Sequence, residues 1–318
     1  MTPLEIRQLP NAGAEILGCD LAELTVGDAN QLEAAFAAFG LLVFRDQVIA
    51  PEDLAGFASR WGTAVVPGEA GDDASVVQRS ASVGDEPGVW YGGNSFSEKP
   101  DLGMVVFVPQ GSGSVPDEIS FASLASAFDA LSGPTCRALE GLRATHKSSD
   151  GSEFAHPLVI RHPVSGKSSI YTNPAYAMSV EGMAEGAGLQ LLNELIDHCQ
   201  RDEFVVTVDW EPGTVILWDN RALWHFDRSE PTDASNILRV RIEGTALKPA
   251  VRPDKSDPSL TQRAGATLAG GIITAAMTGI AEVIEPERAR QDIEIVSEAP
   301  DREPLDDTLD FGGLPPLD

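Results

Sequence analysis

The segment Phe204-Val-Val-Thr-Val-Asp-Trp210, followed by Glu-Pro-Gly and then by Thr214-Val-Ile-Leu-Trp218, carries the clearest fold signal in the chain. Its two runs are rich in β-branched and apolar residues, which fit strands, and the Glu-Pro-Gly between them is typical of a tight turn. We therefore predict two strands joined by that turn. Downstream, Leu238-Arg-Val-Arg-Ile-Glu243 alternates with period two, which predicts a further strand.

Helical and extended patterns alternate along the rest of the chain. Helical spacing ending at a glycine predicts helices over 28–39, before Gly40, and from Pro51 to Gly62. Further apolar patterns predict buried strands over 41–44 and 103–108, helices over 120–145 and 185–200, and a hairpin or loop pair over 156–173. The strands lie between helices without a βαβ rhythm, which favours antiparallel sheets with helices packed outside.

The composition is that of an acidic globular protein. Among 318 residues, 49 are acidic and 22 are basic, giving a net charge of −27, so we expect no nucleic-acid partner and no binding to an anionic membrane. The three cysteines, Cys19, Cys136 and Cys199, form no CxxC pair and indicate neither a disulfide framework nor a zinc ribbon. The N-terminal segment has no secretory pattern and no apolar run reaches about 18 residues, which predicts a cytoplasmic protein.

The last part of the chain differs from the rest. Residues 251–318 contain 14 acidic and 6 basic side chains with Phe311 as their only aromatic residue, which is too little to build a core. We predict a folded domain over 1–250 and an acidic C-terminal extension over 251–318. The small, apolar stretch 268–284 is interpreted as a strap packed on the domain or on a second subunit, and we expect a homo-oligomer.

Three strings occur in one order along the chain: Gly40-Leu-Leu-Val-Phe-Arg-Asp-Gln47, then His156-Pro-Leu-Val-Ile-Arg-His-Pro-Val-Ser-Gly-Lys167, then Trp210-Glu-Pro-Gly with Trp218-Asp-Asn-Arg221 and His225. In these strings, over roughly residues 5–245, the chain resembles the TauD/TfdA (taurine dioxygenase-like) family of non-haem iron oxygenases. The resemblance implies a mainly β fold with flanking helices, a double-stranded β-helix or jelly-roll. It also implies oxidoreductase chemistry with Fe(II) and 2-oxoglutarate as cofactors.

The family holds iron with an early His-x-Asp and a distal His. Aligning Trp90 and Asn94-Ser-Phe96 with the family's Trp-His-x-Asp-Gly-Ser-Phe places Tyr91 at the first His and Gly93 at the Asp, whereas His225 keeps the distal position. Two of the three ligands are therefore replaced, and the sequence argues against an ordinary 2-oxoglutarate hydroxylase. A relocated metal site at His225-Phe-Asp227, which has i, i+2 spacing, is a further alternative.

The sequence also predicts an anion site near the C-terminal end of the region that resembles the family. Arg239 matches the arginine that clamps the cosubstrate carboxylate, whereas Ile119 replaces a cosubstrate-binding threonine. Arg239 and Arg241 lie at i and i+2 of one strand and share a face. A buried guanidinium needs an anion, so we expect either a small anionic ligand, with Asn94 as a further contact, or an internal ion pair with Asp219 or Glu243.

Two functional hypotheses follow from these residues. The first is an enzyme with a rebuilt or abandoned iron site that binds a small anionic substrate at Arg239 and uses Tyr91 or His225 in acid–base work. Tyr91 could equally serve as a plug that replaces the volume of the metal. The second hypothesis is a non-catalytic binding protein or partner subunit of a related oxygenase, and the fold alone does not separate the two.

Overall fold

Strands supply most of the regular structure in the computed structural model of the chain, which describes residues 4–65, 78–80, 88–112, 118–228 and 237–250. The strands are β1 (Glu5–Gln8), β2 (Ala14–Leu17), β3 (Leu41–Phe44), β4 (Ala64–Val65), β5 (Gln78–Ser80), β6 (Gly103–Val108), β7 (Glu118–Ser123), β8 (Arg143–Lys147), β9 (Glu153–Pro157), β10 (Val159–Arg161), β11 (Ser168–Ile170), β12 (Ala177–Val180), β13 (Val205–Asp209), β14 (Thr214–Asp219), β15 (Leu223–Asp227) and β16 (Ile237–Ile242). The helices are α1 (Val26–Phe39), α2 (Pro51–Ala58), α3 (Leu124–Asp129), α4 (Gly133–Leu139) and α5 (Glu185–Cys199).

Two sheets form the jelly-roll that the resemblance implies. The large sheet has the order β1-β2-β3-β14-β6-β16-β4, with β5 also paired to β16, and the small sheet has the order β13-β7-β15. All of these pairs are antiparallel except β2 with β3, which are parallel. The sheet β12-β8-β9 and the hairpin β10-β11 complete the described strands.

The two sheets face each other across an apolar interior. This interior cluster joins side chains of the large sheet, such as Val106 and Ile216, to side chains of the small sheet, such as Phe121 and Val208. The opposite face of the large sheet packs on α1 and α2, and the opposite face of the small sheet packs on α3 and α5. Alternation along each strand therefore decides whether a side chain lies between the sheets or under a helix.

The turn at Glu211-Pro-Gly213 joins the two sheets. The predicted strands on either side of it exist as β13 and β14, but they belong to different sheets and do not pair with each other. The Nη1 atom of Arg45 donates hydrogen bonds to the carbonyl oxygen of Asp209 (2.7 Å) and to Oγ1 of Thr214 (2.8 Å), one at each side of the turn. Period-two patterning identifies a strand, whereas its partners depend on the whole topology.

Most of the other predicted elements are confirmed, with two changes of extent. The helix starting at Pro51 ends at Ala58, before the predicted Gly62. The region 120–145 is not one helix, since it begins in β7 and ends in β8. Between these strands lie two short helices, α3 and α4, and Ser132 separates them and caps α4. Ser132 and Pro134 end the helical pattern because a capping serine and a proline in the first turn both mark a new helix start.

The expectations for the C-terminal extension and its strap fall on residues 251–318, which lie outside the described residues. Among the residues that the structure does describe, no helix is long and apolar enough to cross a bilayer.

Candidate functional site

Tyr91 lies beside His225 at the edge of the small sheet. Each residue's amide donates to the other's carbonyl at 2.9 Å, which forms an isolated antiparallel bridge next to β15. Both side chains are buried, with 5% and 2% of their surface exposed. The bridge brings together two of the residues that the sequence singled out, although they are far apart along the chain.

The inner face of β15 carries His225 and Asp227. Leu223, two residues before His225, belongs to the interior cluster between the sheets, whereas Trp224 packs on the helical side. In the pairing with β7, His225 lies opposite Phe121 and Asp227 lies opposite Ile119. His225 and Asp227 therefore share the inward face, as their i, i+2 spacing predicts.

A chain of aromatic rings runs through this part of the interior. The ring centroids of neighbouring members are 4.9–5.8 Å apart, within the range of favourable aromatic contacts. The order of the chain is Phe96, Tyr176, Tyr91, His225, Trp218 and Phe121. Tyr91 thus fills space between neighbouring aromatic side chains at the position that the resemblance assigns to an iron ligand.

The residues present do not fit the family's Fe(II) site. Gly93, at the position of the carboxylate ligand, has a φ of +77°, and a Cβ built there would lie 2.6 Å from Nδ2 of Asn220. Across the described ranges, no group of three or more His, Cys, Asp or Glu side chains could hold a metal ion. The pair His225 and Asp227 supplies at most two ligands, whereas Fe(II) sites of this class use three protein groups.

Arg239 lies on the inner face of β16, a central strand of the large sheet. It shares that face with Ile237, a member of the interior cluster, and it lies opposite Val106 of β6. Only 4% of its surface is exposed. A guanidinium buried at this depth requires charged or hydrogen-bonding neighbours to offset its lost hydration.

Arg241, on the same face, forms an ion pair that differs from both predicted alternatives. Its Nε donates to Oδ2 of Asp101 at 2.8 Å, and its Nη2 donates to the same oxygen. Neither Asp219 nor Glu243 is the partner in this pair. Asn94 also contacts Asp101, since the amide of Asp101 donates to Oδ1 of Asn94 at 2.6 Å.

Asp219 is the centre of a separate buried network. Nε of Arg221 donates to its Oδ1 at 2.8 Å, and Nε2 of His162 donates to its Oδ2 at 3.0 Å. Burial by itself raises the pKa of Asp219, but the charge and hydrogen bonds of Arg221 and the hydrogen bond from His162 outweigh burial and lower it well below its usual value. The predicted structural role of the Trp218-Asp-Asn-Arg221 string agrees with this geometry.

Four residues contact the loop around Tyr91, and three of them, Asp101, Asn173 and Asn220, were not identified as site residues from the sequence. Nδ2 of Asn173 donates to the carbonyl of Gly93 (2.9 Å) and to Oγ of Ser95 (3.0 Å). Nε2 of His156 donates to the carbonyl of Ser97 at 2.9 Å. Asn220 contacts the same loop at Gly93, and Asp101 contacts it at Asn94, but none of these contacts has a periodic signature in the sequence.

A surface cleft lies elsewhere, between the end of α1, the start of α3 and the hairpin β10-β11. Its lining includes His162 and Lys167 but none of Tyr91, His225 and Arg239. Nζ of Lys167 donates to the carbonyl of Ala38 at 3.0 Å, and His162 is bound to Asp219. Because the cleft includes none of the residues that the resemblance places at the family's site, the interior face is the stronger candidate.

Comparison with known proteins agrees with the architecture. The family model described as taurine catabolism dioxygenase TauD, TfdA family matches residues 5–240. An alpha-ketoglutarate-dependent dioxygenase of Penicillium expansum is 27% identical over 76% of this chain and 77% of its own length. The alpha-ketoglutarate-dependent 2,4-dichlorophenoxyacetate dioxygenase of Cupriavidus pinatubonensis is 32% identical over 56% of this chain and 68% of its own length.

Solved structures give the same result. The crystal structure of a taurine dioxygenase from Burkholderia xenovorans superposes with a TM-score of 0.70 at 27% identity and covers 80% of this chain and 94% of that one. The matched sequence range includes His225 and Arg239. The chain belongs to the TauD/TfdA family of dioxygenases.

Proposed function

We propose that this chain binds a small organic anion at Arg239, between the two sheets, and acts on it without the family's Fe(II) centre. The observation that carries the proposal is the placement of Arg239, a guanidinium with 4% exposure on the inner face of a central strand. A carboxylate or sulfonate would match the planar fork of the guanidinium with two parallel hydrogen bonds.

The relatives support an anion of this class. Two of them are named for 2,4-dichlorophenoxyacetate and taurine, which are a carboxylate and a sulfonate. We assign the ligand to Arg239 because the resemblance matches it to the arginine that clamps the cosubstrate carboxylate. Arg241, two residues further along the same face, pairs with Asp101, and we assign to it the task of holding Asp101 and, through it, Asn94.

Tyr91 and His225 are the groups proposed to touch the ligand. They belong to the wall formed by the small sheet, and Arg239 belongs to the wall formed by the large sheet. A phenol can donate a hydrogen bond or a proton, and an imidazole can accept or return one near neutral pH. The proposed chemistry is therefore acid–base work on a bound anion, with no step that passes through a metal.

A second candidate is a non-catalytic binding subunit. The ring chain from Phe96 to Phe121 favours it, because Tyr91 contacts both Tyr176 and His225 and so packs as a core residue would. In this reading Tyr91 serves as the plug, and the anion, if bound, stabilises an interface. Substitution of Tyr91 separates the two candidates.

Titration of small acids tests the anion site directly. Succinate, 2-oxoglutarate, taurine and phenoxyacetate would be titrated by calorimetry and thermal shift into the wild type, Arg239→Ala and Arg239→Lys. Charge-assisted hydrogen bonds contribute about 1.5–3 kcal/mol each, so Arg239→Ala should weaken binding by about tenfold or more. Arg239→Lys should restore little, because lysine lacks the planar fork.

The matched control is Arg161→Ala, which removes an exposed arginine from β10. It should leave the affinity unchanged. Failure of all four acids to stabilise the wild type, or equal affinities in wild type and Arg239→Ala, would contradict the anion site and favour the non-catalytic candidate.

A further inference from the structure

The segment Gly92-Gly93 lies between two side chains that are held in place from several directions. We infer that this segment is closed to any side chain, so that the iron site cannot be rebuilt by restoring the ligand residues at positions 91 and 93 alone. The inference deepens the proposed function, because it gives a structural reason why the family's metal chemistry is excluded from this site.

Gly93 is constrained by its backbone and by Asn220. Its φ of +77° disfavours any residue with a Cβ, and that Cβ would lie 2.6 Å from Nδ2 and 3.1 Å from Cγ of Asn220. Asn220 cannot easily withdraw, since its Oδ1 accepts from Nε1 of Trp218 (3.0 Å) and its Nδ2 donates to the carbonyl of Asp101 (3.4 Å). Asn220 is itself only 5% exposed.

Gly92 is closed on the other side by Trp224. A Cβ at this position would lie 2.9 Å from Cδ1 of the indole. Trp224 is fully buried, and its Nε1 donates to the carbonyl of Thr172 at 2.7 Å. The two consecutive glycines therefore pass between an indole and an amide that are both fixed.

The segment also cannot move away as a unit. The backbone bridge of Tyr91 to His225 holds its start, and Nδ2 of Asn173 binds the carbonyl of Gly93. Further along the loop, His156 binds the carbonyl of Ser97. An aspartate introduced at position 93 would therefore have to displace Asn220 or break these contacts before it could reach a metal.

A stability comparison tests the closure. Gly88 also has a φ of +77°, but a Cβ there would meet nothing within 4 Å, so Gly88→Ala measures the backbone cost alone. We expect Gly93→Ala to lower the melting temperature about twice as much as Gly88→Ala or more, because overpacking adds to the backbone cost. In an Asn220→Ala background the extra loss at position 93 should shrink to the level of Gly88→Ala.

Equal losses for Gly93→Ala and Gly88→Ala would overturn the inference, and so would an extra loss that persists in full after Asn220→Ala. These melting-temperature measurements on the alanine variants need neither metal nor ligand. Their result is therefore independent of the anion titrations that test the proposed function.

Metal titration of the double variant Tyr91→His/Gly93→Asp completes the test. Fe(II) under anaerobic conditions, and Co(II) followed by its visible absorption, should show no one-to-one binding. Stoichiometric binding of either ion by this folded variant would overturn the inference, whereas stoichiometric iron in the wild type would overturn the proposed function instead. If the double variant does not fold, the alanine cycle decides whether contact with Asn220 is the cause.

Discussion

Tyr91 and His225 exchange two backbone hydrogen bonds of 2.9 Å, so that their side chains lie next to each other on one wall of the jelly-roll interior. In the family pattern the same two positions hold iron ligands. In this chain the first of these positions is Tyr91, a phenol, and the resemblance matches the third ligand position to Gly93. We therefore expect this bridged pair of residues to carry a chemistry different from that of the family's iron site.

Iron binding gives the first prediction. The purified protein, loaded anaerobically with Fe(II) and 2-oxoglutarate and passed through gel filtration, should retain far less than one iron per chain. The reason is that Tyr91 and Gly93 stand where the resemblance expects the other two ligands of a three-ligand site. Elemental analysis measures the iron, and succinate should not form after oxygen is admitted. Stoichiometric iron that is lost in His225→Ala would contradict this prediction.

Two substitutions at Tyr91 separate a chemical role from a packing role. Tyr91→Ala should lower the free energy of unfolding by roughly 3–5 kcal/mol, since it removes a buried ring from the aromatic chain. Tyr91→Phe keeps the ring, and urea unfolding should show a much smaller change. If Tyr91→Phe nevertheless abolishes turnover or weakens anion binding, the hydroxyl takes part in the chemistry; a silent Tyr91→Phe supports the plug.

The Asp219 network should be the most costly ion pair to break. Asp219→Ala leaves Arg221 and His162 buried without their carboxylate, which should lower the free energy of unfolding by about 3–5 kcal/mol. Glu153→Gln, in the exposed pair with Lys147 (3.3 Å), is the control and should cost about 0–1 kcal/mol. Similar losses for the two variants in urea unfolding would show that Asp219 contributes no more than a surface charge.

The lowered pKa of Asp219 leads us to expect a smaller free energy of unfolding in acid. Because the pKa of Asp219 is lowered in the folded state, its contribution is present above the pKa of the unfolded chain, about 3.9, and disappears as the pH falls below that value. The difference in unfolding free energy between wild type and Asp219→Ala should therefore narrow below about pH 4. A constant difference down to pH 3 would argue against the lowered pKa.

As the solution is acidified, the buried histidines should begin to destabilise the protein at a higher pH than Asp219 does. Burial, with a smaller effect of His156, lowers the pKa of His146 to about 3, and burial also lowers the pKa values of His156 and His198. Each such group binds a proton in the unfolded chain first, so stability is present above about pH 6.5 and falls as the solution is acidified.

His146→Phe isolates one of these groups, since phenylalanine can keep the ring stacked on Tyr171. The pH dependence of the unfolding free energy between about pH 6 and pH 4 should become shallower by up to about 1.4 kcal/mol per pH unit. Urea unfolding at several pH values measures it. Identical slopes in wild type and variant would show that His146 titrates normally.

Much of the fold could be predicted from the sequence because burial on both faces leaves a strong local pattern. Continuous apolar runs identify β3 and β6, and Gly40, with a φ of +70°, ends α1 as predicted. The partners of β13 and β14 could not be predicted, since alternation shows which face is buried but not which strand lies alongside. The apolar residues of α3 and α4 continue one helical spacing across the break at Ser132, so the sequence predicts one helix where the structure has two.

Some residues of the candidate site could be predicted from the sequence and others could not. Tyr91, His225 and Arg239 could be found because motif order and strand alternation place them. Asp101, Asn173 and Asn220 could not, because each acts through a loop contact with a residue distant in sequence, and loops carry no periodicity. The ion pair of Arg241 shows the limit clearly, since its buried charge requires a partner but nothing local identifies Asp101.

The turn at Glu211-Pro-Gly213 has a mechanical consequence for the interior. It ties the end of β13 to the start of β14, and the hydrogen bonds of Arg45 clasp both strands at that point. Asp219 and Asn220 lie at the opposite end of β14, nearly the full length of the strand away. The two sheets are thus tied together at one end, and we expect any separation of the sheets to be larger at the other end of β14, beside Asp219.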